Sequence, residues 1–311
     1  MMSGSGATTG STPGLGLGTG SARFSLSANE FLLFQDYIMD NCGIIIPLEK
    51  SYLFETRLSA LVRETGVKSF YEFYKILVSH SNVSVSLQQR VIDAMTTNET
   101  LWFRDSVPWE YLEEVALPQL VGELLAGKRK KVRIWSAAVS TGQEIYSTVM
   151  CVDEYLKKNC VKGVDLSNFE FFATDICSRV IEIAKKGSYE KNSMERGLSS
   201  YFKTKYFAQN GSFWDIDPNI RCSVKFLKFN LINDYRRFGA FDIIFCRYVL
   251  IYFSDNMKKS IIDKMSGSLV SGGLLFTGNY VLYDMFDENY IVKRYKNISY
   301  YIKNNLPFRD F

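Results

Sequence analysis

The period of the apolar pattern changes across Thr97–Arg104, and this change constrains the fold more than any other feature. Before it, apolar residues recur at helical spacing. After it, short β-branched and aromatic runs alternate with helical stretches. Val132–Trp135, Phe169–Asp175, Phe241–Cys246 and Gly273–Thr277 read as strands, and Val224–Phe229 as a further one. Gln143–Leu156 and Ser178–Lys186 read as helices between them. Such alternation predicts a parallel, doubly wound α/β sheet.

The preceding stretch predicts a small all-helical unit. Ser27 with Glu30 makes a capping box ahead of Phe31, Phe34 and Ile38. A second helix is expected from about Lys50 through Leu53, Leu58 and Leu61 to near Gly66, a third from Phe70 to Val78, and a fourth from Leu87 to Met95. Met1 to about Ala22 is dominated by Gly, Ser and Thr with no charge before Arg23, a composition that predicts disorder. The expected division is therefore a tail over 1–24, a helical domain over 25–97 and an α/β domain over 98–311. Within the last, 188–224 breaks the rhythm with Tyr, Phe, Lys and turn residues. Asn210-Gly211 there signals a hairpin, so a small antiparallel insertion is expected.

Composition excludes several classes. The 311 residues carry a formal charge of only +4, too mild and dispersed to argue for nucleic acid. Six cysteines include no CxxC pair, and His80 is the single histidine, so no metal site is expected. The cysteines read as reduced core residues. No apolar run reaches about 18 residues and the N-terminus lacks a signal-peptide pattern, which together predict a cytoplasmic protein without an integral membrane segment. His80 falls in a loop-like Val78–Asn82 segment, so a histidine general base is not expected.

In an open α/β sheet, ligands bind beyond the carboxyl ends of the strands. The loop Ser136–Gly142 is made of small residues, suited to close approach by a ligand or to a plain structural turn; it lacks GxGxxG. Asp175 ends a strand, where a carboxylate accepts ribose hydroxyls or caps the next helix. Arg247-Tyr248 through Tyr252-Phe253 follow the strand ending at Cys246, and Asn230-Leu231 follow the strand at Val224–Phe229. All four loops fall at one sheet edge, which favours an adenosine-containing ligand. A Walker lysine loop is missing, and without a glycine fingerprint a nicotinamide oxidoreductase is disfavoured.

Three segments, Thr97-Asn-Glu-Thr-Leu-Trp-Phe-Arg104, Ile134–Ser147 and Ile244–Phe253, together resemble the CheR-type chemotaxis receptor methyltransferases. The resemblance runs from about Ser27 to Lys303 and includes Ala173-Thr-Asp175 and Phe229-Asn-Leu231. It implies a Rossmann-like S-adenosylmethionine-dependent methyltransferase domain with an N-terminal helical domain and an inserted β-subdomain that helps dock receptors. It also implies methylation of receptor glutamates to methyl esters in sensory adaptation. The cofactor site so implied comprises Asn98, Thr100, Arg104, Ala138, Glu144, Asp175, Asn230, Leu231, Arg247 and Tyr248. Arg104 and Tyr252 match positions near the transferred methyl group. Two departures stand out: Tyr248 where the family usually has Asn, and Gln143-Glu144-Ile145 where it favours Glu-Glu-Pro. They motivate one alternative, a weak or inactive adaptor that senses the cofactor or binds receptors.

The chemistry agrees with the composition. A glutamate acceptor is already anionic at neutral pH, so methyl transfer to it needs alignment rather than a base. The expected partner is the cytoplasmic helical domain of chemotaxis receptors, met by a monomer recruited to membrane receptor arrays. Lys50, Arg57, Arg63 and Lys68 are the basic positions expected to face that acidic surface.

Overall fold

The computed structural model describes residues 24–79, 81–278 and 288–304; the expected N-terminal tail up to residue 23 and His80 lie outside them. Helices α1 (Ala28–Cys42), α2 (Tyr52–Glu64), α3 (Phe70–Leu77) and α4 (Asn82–Met95) form the N-terminal unit. The Ser27 hydroxyl accepts the Glu30 N–H, and the Glu30 carboxylate accepts the Ser27 N–H at 2.8 Å, so α1 starts where its sequence directs. Phe34 packs against Phe54, Phe70 and Phe73 with ring centroids 5.8–6.0 Å apart. These rings are the centre of the unit's core. Phe24 lies 6.2 Å from Phe70, so packing begins inside the expected tail.

Helix α4 starts five residues before the expected Leu87. The Ser81 hydroxyl caps it by accepting the Ser84 N–H at 3.2 Å. Val83 and Val85 in its first turns are exposed, so this stretch shows no apolar periodicity.

Beyond the junction, α5 (Val107–Tyr111) continues through a wide π turn into α6 (Leu117–Leu125). The alternating region follows: β1 (Val132–Ala137), α7 (Gln143–Lys158), β2 (Phe169–Asp175) and α8 (Ser178–Lys186). Next come β3 (Ser188–Glu190), α9 (Lys191–Met194), α10 (Ser200–Tyr206), β4 (Phe207–Asn210), β5 (Phe213–Ile216) and α11 (Pro218–Cys222). The chain then forms β6 (Val224–Lys228), β7 (Phe241–Phe245), α12 (Asp255–Gly267), β8 (Leu269–Phe276), β9 (Tyr290–Tyr295) and β10 (Ile298–Lys303).

The main sheet has the order β6-β2-β1-β7-β8-β10-β9, and β3, β5 and β4 make a separate antiparallel sheet. Strands β6 to β8 pair in parallel, whereas β10 runs antiparallel to both β8 and β9. The sheet is therefore mixed, not wholly parallel. A tight turn at Lys296 (φ +49°) joins β9 to β10, and antiparallel strands need no crossover helix. Lys293, Arg294 and Lys296 interrupt the apolar run there, which hid this hairpin from the sequence pattern.

Successive strand residues face opposite layers. Ile134 and Ile243 join Ile145 and Val149 of α7 in one core layer, while Trp135 and Ile244 join Ile261, Ile262 and Met265 of α12 in the other. Cys42, Cys151, Cys177 and Cys246 are buried, but Cys160 and Cys222 are exposed, against the expectation of core positions. Cys160 follows the end of α7 and Cys222 is the last residue of α11, where the helices reach solvent. Among the described residues, no helix is long and apolar enough to cross a membrane.

The insertion holds the junction in place. Trp102 is fully buried, with Tyr189 and Phe207 edge-on at 5.0 and 5.2 Å. Its indole N–H donates to the Ser193 carbonyl at 3.1 Å and its backbone N–H to the Arg196 carbonyl at 3.0 Å. Gly197 makes this approach possible: its φ is +89°, and a Cβ there would stand 2.1 Å from the Trp102 carbonyl oxygen. Gly197→Ala is expected to destabilise the protein by about 2–3 kcal/mol, through backbone strain plus the clash. Denaturant unfolding would show it, and an unchanged midpoint would contradict this close packing.

Candidate active site

Strand order reverses between β1 and β7, since β2 and β6 lie on one side and β8 on the other. The carboxyl ends therefore splay apart there and leave a crevice. The loops leaving them have unusual backbones. Among the described residues, seven non-glycine residues have positive φ; Phe103, Asp105, Ala138, Ser140 and Tyr248 are five of them, all in the junction or these loops. Concentrated strain of this kind marks a site whose geometry the surrounding structure enforces.

A cavity of about 420 Å³ lies over this edge, in the size range of small-molecule sites. The β1 loop contributes Ala138 and Ser140, the end of β2 Asp175 and Ile176, and the β6 loop Phe229, Asn230 and Leu231. The β7 loop adds Arg247, Tyr248, Val249, Ile251 and Tyr252, and the junction Thr97, Asn98 and Arg104. The helical unit closes the remaining side with Cys42, Ile44 and Met95.

That closure is held by a seam of hydrogen bonds. Ile44 bridges Phe253, and the Ile45 N–H donates to the Tyr252 carbonyl at 2.9 Å. Asn230 donates its amide to the Asn41 carbonyl at 2.7 Å, and Asp93 accepts the Ser178 N–H at 3.1 Å. Arg57 is half-buried and donates to the Met95 carbonyl at 2.9 Å, bracing the end of α4. Lys50, Arg63 and Lys68 remain exposed.

Asp175 is the acidic centre of the cavity. One carboxylate oxygen accepts the Ser140 N–H and the other the Cys177 N–H, both at 2.9 Å. Each oxygen keeps a lone pair for a further donor. Burial raises its pKa above the usual carboxylate value, against the pull of these N–H groups.

Two arginines line the cavity with opposite standing. Arg247 is buried, and its guanidinium bonds Asp105 at 2.8 Å, Glu144 at 3.0 Å and the Arg104 carbonyl at 2.6 Å. Only its Nε is buried without a partner among the described residues. Glu144 is held in turn by the Ser136 hydroxyl at 2.7 Å. Arg104 is the reverse case: among the described residues it forms no ion pair, and its guanidinium rests on the Tyr248 ring, 3.5 Å from the centroid. The Tyr248 hydroxyl donates to Asp105. Burial and this carboxylate raise the Tyr248 pKa. The Tyr252 hydroxyl, also on the cavity wall, has no partner among the described residues.

The sequence matches the family model described as the CheR methyltransferase SAM-binding domain over residues 98–292, and the CheR all-alpha domain over 29–96. The chain belongs to the CheR methyltransferase family. It is 40% identical over 250 residues to chemotaxis protein methyltransferase 1 of Pseudomonas aeruginosa, covering 80% of this chain and 88% of that protein. It is 38% identical to chemotaxis protein methyltransferase Cher2 of Pseudomonas putida, with the same coverage. To chemotaxis protein methyltransferase 1 of Vibrio cholerae it is 37% identical over 255 residues, covering 82% and 89%.

This is a methyltransferase that uses S-adenosylmethionine. The cavity fits that cofactor on its own chemistry. Ile176, Phe229, Leu231 and Val249 offer apolar walls, Asp175 has lone pairs suited to hydroxyls, and Arg104, without an ion pair among the described residues, offers a cation.

Of the family-implied residues, Asn98, Arg104, Ala138, Asp175, Asn230, Leu231, Arg247, Tyr248 and Tyr252 share the cavity. Thr100 and Glu144 do not. They line a small adjoining crevice with Arg104, Ala138, Arg247 and Tyr248. Asn230 and Arg247 reach the cavity, yet their polar groups are largely engaged within the chain. Gln143, the other departure from the family pattern, is buried beside the insertion and donates to the Ser193 hydroxyl at 3.2 Å, away from the cavity. Sequence reading missed Asp105 and Ile44, and reached Ser140 only as part of the Ser136–Gly142 loop. Asp105 carried no signal because left-handed backbone is not visible in its residue type, and Ile44 matters only through the seam.

Removing Arg247 leaves Glu144 and Asp105 without their shared counter-charge. Arg247→Met is expected to lower stability by about 3 kcal/mol, at the low end for a broken buried pair because Asp105 is partly exposed. Thermal unfolding tests this, and a melting temperature within a degree of the parent would contradict it.

Proposed function

We propose that the protein methylates glutamate side-chain carboxylates on the cytoplasmic helical domain of chemotaxis receptors, as a protein-glutamate O-methyltransferase. The observation that carries this reading is an arginine without an ion pair and a tyrosine hydroxyl without a partner, among the described residues, on the wall of one cavity: Arg104 and Tyr252. Both are donors suited to carboxylates. A carboxylate acceptor brings its own negative charge and needs no base.

When bound, S-adenosylmethionine supplies a methyl group made electrophilic by its positively charged sulfur. Asp175 would hold the ribose hydroxyls, and Ile176, Phe229 and Leu231 would offer apolar contact to the adenine. Asn98 and Ala138 line the same side, while Glu144 and Thr100 act from the adjoining crevice, Glu144 by fixing Arg247. Arg104 binds a carboxylate at the junction of the two units. Tyr252 donates its hydroxyl to the acceptor carboxylate and sets its direction of approach. Half-burial of both donors strips water from the acceptor, whose charge disappears on methylation.

The exposed Lys50, Arg63 and Lys68 on the helical unit suit an acidic receptor helix, and the antiparallel insertion supplies a second receptor contact. The protein acts as a cytoplasmic monomer drawn to receptor arrays.

Transfer of radiolabelled methyl to cognate receptor membranes should give a base-labile product; a base-stable label would contradict an ester. Arg104→Ala and Tyr252→Phe should each slow transfer about tenfold or more, the loss of one charge-assisted or oriented hydrogen bond. Undiminished turnover in both would remove their assigned roles.

Asp175, whose pKa burial holds up, would be stabilised in its ionised form by accepting the ribose hydroxyls. Binding is therefore full above that raised pKa and weakens as pH falls through it. Asp175→Asn should bind S-adenosylhomocysteine about 10–100-fold more weakly near neutrality. Its affinity should also lose the acid dependence seen in the parent by calorimetry. A variant that keeps the parent's pH profile would show that another group sets it.

A further inference from the structure

We infer that Tyr248 is a positioning residue for methyl transfer, a platform whose ring face holds over the cavity the cation of Arg104, which forms no ion pair among the described residues. The inference rests on the role given to Arg104 above. Three observations carry it. The Arg104 guanidinium carbon stands 3.5 Å from the Tyr248 centroid, close for a face-on cation–π contact. Tyr248 itself sits at φ +60°, a left-handed conformation that bulky residues rarely adopt. The ring is then fixed from two other sides.

Its hydroxyl donates to Asp105, the carboxylate that also pairs with Arg247. The ring also meets Gly278, where a Cβ would lie 3.2 Å from its nearest atoms. Phe103 and Asp105, at φ +46° and +58°, flank Arg104 and kink the backbone around it. The Arg104 carbonyl is meanwhile held by Arg247. Backbone and ring together leave the Arg104 side chain few orientations. A free cation on a long side chain otherwise samples many rotamers, and aligned transfer needs one.

The ring face separates this role from mere packing. Phe keeps the face at position 248 and loses only the bond to Asp105, whereas Leu keeps apolar bulk and backbone strain but offers no π surface. The test is a double-mutant cycle on methyl transfer with the full-length protein and receptor membranes. Tyr248→Leu should lower kcat/KM roughly three- to thirtyfold, the range of a partly desolvated cation–π contact, and Tyr248→Phe should recover most of that loss. In an Arg104→Ala background, Tyr248→Leu should have almost no further effect.

Equal losses from Tyr248→Leu in both backgrounds would overturn the platform role and leave Tyr248 structural. Failure of Tyr248→Phe to recover activity would overturn it too. If Arg104→Ala alone leaves transfer unchanged, the role proposed for Arg104 fails first, and that outcome is distinct from both. Melting temperatures of all variants, measured alongside, separate activity loss from unfolding.

Discussion

The buried guanidinium of Arg247 ties together three segments that are distant in sequence. It takes Asp105 and the Arg104 carbonyl from the junction, Glu144 from the start of α7, and is itself delivered by the end of β7. A charge so deeply buried persists only when paired and hydrogen-bonded. Its pairing therefore dictates how the junction lies across the sheet edge. The strained backbones of Phe103, Asp105, Ala138, Ser140 and Tyr248 surround this one ion-pair cluster.

The same cluster produces the electrostatic character of the cavity. Two carboxylates pair with Arg247, so among the described residues the cation left without an ion pair on the cavity wall is Arg104. Asp175 stands apart from this network, held by backbone N–H groups that include those of Ser140, Ile176 and Cys177, and its oxygens keep lone pairs for a further donor. One cavity thus presents a carboxylate and a cation that do not pair with each other, an arrangement suited to a ligand bearing hydroxyls and a carboxylate.

The helical unit completes the site by contact instead of by chemistry. Gly43 ends α1 in a left-handed turn, with a virtual Cβ only 2.9 Å from Ile232 and 3.1 Å from Phe253. That close approach lets Ile44 bridge Phe253 and bring Cys42 and Ile44 to the cavity wall. On its other flank the insertion clamps Trp102. The junction is thereby gripped on both sides, and Arg104 emerges between them.

Much of this was legible in local sequence. The capping box at Ser27, the Asn210-Gly211 hairpin and the alternation of strand and helix are short-range signals, and each formed as expected. The early start of α4 and the β9–β10 hairpin were hidden because Val83 and Val85 face solvent and charges interrupt the last strands. For the site, the strand-end rule brought Asp175, Asn230, Leu231, Arg247 and Tyr252 to one edge without any knowledge of side-chain partners.

The sequence by itself determined the two-unit α/β architecture, the sheet edge that carries the cavity and the kinds of residue gathered there, because period, capping and strand direction are local properties. Only the tertiary structure decided that Arg247 is an internal strut and Arg104 the available cation. As residue types the two are identical. Which of them stays free depends on carboxylates that folding brings from 142 and 103 residues away.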